Sequence, residues 1–305
     1  MSGIITQGAF PKNKRPGVFA FTQLEYKQHP QYWRECFYVA QSKSMYEEAT
    51  AGNTFGLVPP KTEGGNIQYA SESQAHTTRS THVVYAMGYI ITFEEALNDL
   101  YEKLGKRRGA RLTRSFARTK ETVHFNLFNR AFNATYTFGD AKELCATDHP
   151  TLYGDQSNEL AVAADLTEQS LEDINVDIRR AVDNVGNPIA LRAAKLLYAP
   201  EEAFNATRIL ESAQRSGTAN NDTNAIKSLG TIPEHMDSPF LDDADAWFVL
   251  TDIAKTEEGL VHFERYPFQM DMDNDSDNLN EKHFGYEYYS RTCFDFRAVY
   301  GSPGA

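Results

Sequence analysis

Residues 92–133 read TFEEALNDLYEKLGKRRGARLTRSFARTKETVHFNLFNRAFN, and the fold turns on this stretch. Thr92-Phe93-Glu94-Glu95 has the form of a capping box, with Thr92 at the N-cap and Glu95 three residues on. Apolar residues follow at Phe93, Leu97, Leu100 and Leu104, then at Leu112, Phe116, Val123, Leu127 and Ala131. Spacings of three, four and seven define one helical face. No proline interrupts before Asn133, although Gly105 and Gly109 are candidate kinks. A continuous helix over 92–133 would be roughly 60 Å long at about 1.5 Å per residue. A compact globule of 305 residues is only about 50 Å across. Either the subunit is elongated or the helix breaks at the glycines.

What precedes the helix has no core of its own. Residues 43–91 look like a long β excursion punctuated by Gly52, Gly56, Pro59, Pro60, Gly64 and Gly65. The alternation in Asn66-Ile67-Gln68-Tyr69-Ala70 predicts one strand, and Thr81–Ile91 its return partner. Few large aliphatics are expected at the tip. A two-stranded ribbon is marginal in isolation, so it is expected to lie against something. Residues 1–40 read as an irregular arm, with Phe10, Pro11, Pro16, Phe19, Phe21, Pro30 and Trp33 in no regular period. Such a segment has no internal backbone partners and is expected to lie across a neighbour.

From Thr137 onward the texture is that of a compact α+β domain. Leu171, Ile174, Ile178 and Val185 form a helical stripe that Gly186 is expected to stop. Leu196-Leu197-Tyr198 reads as a buried strand, and Pro200 sits where the next helix begins. Asp245–Ile253, around Trp247, reads as another strand. Two aromatic-rich strands, near Leu260–Met270 and Tyr286–Val299, close the chain, joined by an acidic turn over Asp271–Asn278.

Composition narrows the function. Hydrophobic residues make up 41% and charged ones 24%, ordinary globular values. Thirty Lys and Arg against 42 Asp and Glu give a formal charge of −12. That excludes a surface that is basic throughout, as a general nucleic-acid binder needs. Cys36, Cys145 and Cys293 are odd in number and widely spaced, which argues for a reducing compartment rather than a disulfide framework. The N-terminus shows no apolar signal region. The longest apolar run, Val83–Ile91, is about half the roughly 20 residues of a membrane-spanning helix.

Three constellations invite a chemical reading. Asp271, Asp273 and Asp275 match the opening of a calcium loop, but position six is Ser276 and position twelve is Lys282. A solvated hairpin turn is the better reading. Cys145, Asp148 and His149 hint at a thiol nucleophile with its base. They fall within five residues and lack an oxyanion loop, so His149-Pro150 is read as a turn. Neither a catalytic, a cofactor-binding nor a metal site is assigned. Finally, Lys103, Lys106, Arg107, Arg108, Arg111, Arg114, Arg118 and Lys120 form one dense basic run without an acid between Lys103 and Lys120. Phosphates or the acidic surface of another copy both fit it, and a second copy is the plainer choice.

The order of arm, two-stranded loop, long helix, α+β block and closing strands resembles the Hong Kong 97-type major capsid fold of tailed phages. Specific stretches resemble the Mu-like major head subunit branch. They include Asp148-His149-Pro150 with Gly154 and Asn158, then Leu166-Thr167 with Leu171. Lys195–Pro200, Ile209–Ser212, Gly217–Asn224, Asp245–Phe248, Gly259–Arg265 and Arg291–Ser302 follow in order.

This resemblance implies an arm over 1–40 and an extended E-loop ribbon over 41–91. A peripheral domain would comprise 92–137, with the spine helix, and 256–290, and an axial domain 138–255 and 291–305. The implied function is a structural, non-enzymatic head protein. It self-assembles as hexamers and pentamers into an icosahedral shell around double-stranded DNA, in the virion and first in the host cytoplasm. Separate scaffold, portal and decoration proteins are the implied partners, with no membrane and no cofactor. Two alternatives remain: an encapsulin-like nanocompartment shell, and a metal or thiol enzyme using Asp271–Asp275 or Cys145 and His149.

Overall fold

The computed structural model describes residues 26, 29–52, 55–70, 74–97, 101–214 and 222–305. Of the expected arm over 1–40, the residues before Tyr26 lie outside the described residues. From Trp33 onward the chain packs into this subunit's own core rather than across a neighbour, because Trp33, Cys36 and Phe37 bury against the helix that follows.

Two four-stranded sheets share the spine helix. The first has the order β1-β10-β11-β4, built from β1 (Tyr38–Gln41), β4 (Val83–Ile91), β10 (Leu260–Asn274) and β11 (Glu281–Cys293). β1 runs parallel to β10, and the other pairings are antiparallel. The register of β10 shifts on both sides of Tyr266, beside Pro267. A proline cannot donate to a ladder, so it sits at a bulge, beyond Glu264 where β1 ends. Gly285 opens room on β11: a Cβ there would stand 2.9 Å from the Phe268 ring and 3.0 Å from that of Phe116.

The second sheet has the order β12-β9-β7-β8, from β7 (Ala193–Tyr198), β8 (Glu234–Asp237), β9 (Trp247–Thr251) and β12 (Val299–Ser302). β7, β9 and β12 are buried on both faces, whereas the edge strand β8 buries only Met236. Along β9, Trp247 and Val249 face one apolar cluster while Phe248 and Leu250 face another, as a period of two requires. The first cluster includes Leu171, Ile174 and Ile178, and the second includes Phe125 and Phe128 of the spine helix.

Helix α1 (Trp33–Cys36) is one turn, α2 spans Phe93–Leu97 and the spine helix α3 spans Tyr101–Asn129. At about 1.5 Å per residue, α3 is about 43 Å long. Gly105 and Gly109 both lie inside it, so the helix does not break at the glycines. It ends four residues before Asn133. Thr92 caps α2 as expected, its hydroxyl accepting from Glu95 N at 3.4 Å. The Glu95 side chain does not close the box; it takes a bidentate pair with Arg108, at 2.9 and 2.6 Å. An arginine fork outcompetes a lone amide for a carboxylate.

Other expectations need correction. The segment 66–70 is not a strand. The hairpin is instead β2 (Tyr46–Gly52) with β3 (Gln74–Thr81), β4 pairs with β11, and a further short hairpin joins β5 (His149–Thr151) to β6 (Gly154–Gln156). β4 offers Tyr85 and Tyr89 to the cluster under the spine helix, whereas Ile67 and Tyr69 have nothing to bury against. Helix α4 (Glu168–Arg180) stops before Gly186, at an Ala181 cap in extended geometry. Gly186, at φ +92, belongs to the following turn, where the Asp183 carboxylate accepts from Val185 N and Asn187 N. Half of the acidic stretch is strand: β10 continues to Asn274 and β11 begins at Glu281, leaving residues 275–280 as the turn. The strand predicted at 196–198 forms within β7, the one predicted over 245–253 forms over the shorter span 247–251, and Pro200 opens a 3₁₀ turn leading into α5 (Ala203–Glu211).

Candidate functional site

Two regions stand out: a buried charged clamp and an exposed apolar loop. The clamp forms where α1 meets the spine helix and the first sheet. Phe116, Lys120 and His124 are four residues apart, so the helix turns all three toward β10 and β11. Lys120 is buried, with Nζ 3.5 Å from Glu287 and 3.6 Å from Glu264. It also lies over the Trp33 and Tyr289 rings, at 5.3 and 4.8 Å. Cation–π contacts of this kind strengthen when water is excluded. Burial pushes the Glu287 carboxyl up despite the lysine beside it.

Next to this pair, Glu121 accepts from the backbone N–H of Trp33 at 3.1 Å. Burial pushes its carboxyl up to about 7, outweighing the Trp33 and Tyr32 amides and Lys120. His124 Nε2 meets His262 Nδ1 at 2.9 Å, and Trp33 stacks on the His124 ring and meets the His262 ring at a tilt. Burial holds both imidazoles well below their usual range. Tyr26 stacks on Phe268 at 4.9 Å, and its hydroxyl donates to Glu287 at 3.2 Å. Lys195 on β7 bridges Glu35 and Glu234 at 2.9 and 3.1 Å, linking α1 to the second sheet. The clamp therefore fixes the start of the described chain onto both sheets.

A second polar staple accounts for the proposed nucleophile and base. His149 stacks on Phe296 at 4.0 Å, with Nδ1 2.6 Å from Asp140 and Nε2 3.0 Å from Asn158. The Asn158 amide donates to the carbonyls of Leu144, Phe296 and Val299, while its oxygen accepts from Ala146 N. Cys145 is fully buried, and burial pushes its thiol far up. A buried thiol held neutral is a poor nucleophile. His149 is spent on joining the 140–158 segment to the chain terminus.

Nor do the acidic residues converge. Asp275 pairs with Lys282 at 2.8 Å and accepts from Asp277 N, and Asp273 accepts from Asn274 N. Among the described residues, no three His, Cys, Asp or Glu side chains group to hold a metal.

The loop between β2 and β3 is different. Phe55, Leu57, Val58, Ile67 and Tyr69 are 61, 84, 92, 65 and 91% exposed. Contrary to expectation, the tip carries large apolar side chains, because the glycines and prolines around Phe55-Gly56-Leu57-Val58 mark a loop whatever that loop presents. A group of large apolar side chains on an extended loop marks a contact surface. The groove at the hairpin's base, about 800 Å³, is lined by Thr78, Phe138, Gly139 and Leu152, among others. Gly139 fits tightly against β3 there: a Cβ would stand 2.4 Å from Thr78 Oγ1.

The basic run divides. Lys120 is buried and Arg108 is paired with Glu95, whereas Arg107, Arg111, Arg114 and Arg118 are exposed. The side chains of Lys103 and Lys106 lie outside the described part. Sequence periodicity missed the clamp, although charged Lys120 and Glu121 beside His124, all in the apolar half of a helix, were a visible signal.

A family model described as phage capsid protein matches residues 75–302. No curated protein sequence matches the chain. The GTA particle capsid has a similar fold, with TM-score 0.57, 11% identity and 89% of both chains covered. So does the virus-like particle from Pyrococcus furiosus, with TM-score 0.56, 9% identity, and 94% of this chain and 98% of that one covered. The mature capsid of bacteriophage PhiM1 gives TM-score 0.52, 16% identity, and 90% and 87% coverage.

Proposed function

The chain belongs to the phage capsid protein family and is a structural shell protein; from that premise we propose that its copies join as hexamers and pentamers into an icosahedral head around double-stranded DNA. Head subunits self-assemble, and the virion capsid is where such a protein resides. The observation that carries the proposal is the exposed apolar loop of residues 55–69. On one subunit it covers nothing. In a ring of heterologous contacts, each loop can cover its neighbour, and rotation closes the ring.

The proposal divides the chain into arm 1–40, E-loop 41–91, peripheral domain 92–137 with 256–290, and axial domain 138–255 with 291–305. In this division β4 lends the returning side of the E-loop to the peripheral sheet. The second sheet, whose strands β7, β9 and β12 are buried on both faces, is the axial core. The ordered motifs from Asp148 to Ser302 favour the Mu-like branch. Scaffold, portal and decoration proteins are separate chains, and assembly takes place in the host cytoplasm.

Electron microscopy of the expressed full chain tests the reading. Closed shells or capsomer sheets are expected, and a discrete dimer would overturn it. Particles purified from the natural host should contain DNA; an enclosed enzyme in its place would favour a nanocompartment.

A further inference from the structure

From Arg107 to Thr122, every spine-helix position that is not buried is Arg, Ser or Thr. Arg107, Arg111, Arg114 and Arg118, with spacings of four, three and four, lie along one stripe. At about 1.5 Å per residue, the stripe is about 16 Å long. Ser115 and Thr119 are half-buried beside it, and Thr122 is exposed at its end. The opposite side of the helix is committed to Leu112, Phe116, Lys120 and His124. Among the described residues, no carboxylate lies within ion-pair distance of Arg107, Arg111 or Arg118.

We propose that this stripe is the subunit's contact for the phosphate backbone of double-stranded nucleic acid, an inference that rests on the shell enclosing DNA. A protein-facing patch needs an apolar centre, and this one has none. Arg, Ser and Thr are instead the side chains that take phosphate oxygens, and the guanidinium fork takes them two at a time. A duplex presents one charge per about 1.7 Å of axis, so a stripe of this length faces about ten phosphate charges. Arg107, Arg111 and Arg118 engage some of these, with Arg114 between them already partnered within the chain, while a net charge of −12 keeps the rest of the subunit from adhering. The contact is therefore local, weak and labile to salt.

The layer is two-sided in the sense this requires. Leu112 and Phe116 pack with Tyr85 and Tyr89, on the inner face of the first sheet. Exposed Val84 and Ile90 have the opposite strand parity and share the far face with Phe284. The arginine stripe and this apolar face thus lie on opposite sides of one layer. One side suits phosphate and the other suits protein, which sets the helix side toward the interior of the shell.

The test compares full-length wild-type protein with two quadruple variants, R107Q/R111Q/R114Q/R118Q and the corresponding four Arg→Lys changes. Binding of a 40-base-pair duplex to unassembled subunits is titrated between 50 and 200 mM salt, and particles are counted separately by electron microscopy after assembly. Three phosphate contacts, those of Arg107, Arg111 and Arg118, imply a roughly fortyfold loss of wild-type affinity over that range. The lysine variant is expected to follow the wild type within a few-fold. The glutamine variant is expected to assemble normally with duplex binding and its salt dependence lost.

The proposal is overturned if wild type binds no duplex, or if the glutamine variant binds as wild type does. It is also overturned if the glutamine variant keeps its helical circular dichroism but stops assembling, because the stripe then meets a second copy. Stripe-dependent duplex binding by a protein that forms no shells would support the stripe and sink the shell reading instead.

Discussion

The two four-stranded sheets solve burial in opposite ways. In the sheet of β7, β8, β9 and β12, all but the edge strand β8 is covered on both faces by its own chain, with Trp247, Phe248 and Val249 all essentially inaccessible. The sheet of β1, β10, β11 and β4 is covered on one face by the spine helix, through the small cluster of Leu112, Phe116, Phe268 and Met270. Its other face leaves Val84, Ile90 and Phe284 exposed. One sheet is complete within the subunit; the other relies on a buried ion pair inside and on neighbours outside. A large apolar core tolerates being alone, whereas a thin layer gains stability mainly when copies meet.

The sharpest way to break this contrast is Lys120→Ala. It would leave Glu287, which is fully buried, beside Glu264 with no cation. Removing one partner of a buried pair costs about 3–5 kcal/mol, and a matching fall in the urea midpoint of unassembled subunits is expected. A loss under about 1 kcal/mol would show that the clamp does not hold the thin layer. Asn158→Ala comes next. It strips partners from Ala146 N and three carbonyls, at about 1–3 kcal/mol on the scale of an unsatisfied buried group. An unchanged midpoint would mean that water replaces the amide.

A pH comparison probes the clamp from another direction. Glu121 has its carboxyl pushed from an ordinary 4.5 to about 7. Between those values the folded subunit keeps a proton that the unfolded chain has released. The stabilising contribution is complete below about 4.5 and disappears as pH rises through 7. Glu121→Gln preserves an acceptor for Trp33 N–H without titrating. Wild type is therefore expected to lose stability relative to the variant across that window, with no further divergence above it. His124 and His262, held neutral by burial, lose stability in the opposite direction as pH falls, and they cancel in the difference. A pH-independent difference would show that Glu121 is ionised throughout.

The smallest stability effect belongs to Leu57→Asp with Val58→Asp, at positions 84 and 92% exposed. Unfolding should shift by about 0.5 kcal/mol or less, while shells should fail to form. Normal assembly of this variant would remove the loop from the contact.

Much of this contrast was legible in the sequence because it follows periodicity. Phe116, Leu127 and Ala131 announce the buried side of the spine helix, and Leu196–Tyr198 announces a strand with two apolar faces. Pairing was not legible. Residues 66–70 alternate like a strand, yet β3 pairs with β2 because the choice between partners is settled by long-range packing. The clamp was hidden for a related reason: a lysine on a helix reads as solvent-facing until two glutamates from distant strands arrive beside it. The exposed tip was obscured by its own glycines and prolines, which mark loops but say nothing about what a loop touches.

The central claim is that the thin half of the subunit is completed by its neighbours through residues 55–69. A reconstruction of the assembled particle by electron cryomicroscopy tests it most directly. The account predicts that Phe55, Leu57 and Val58 pack against a neighbouring copy, with their exposure largely gone. Shells in which that loop stands free in solvent, or folds back on its own subunit, would contradict it.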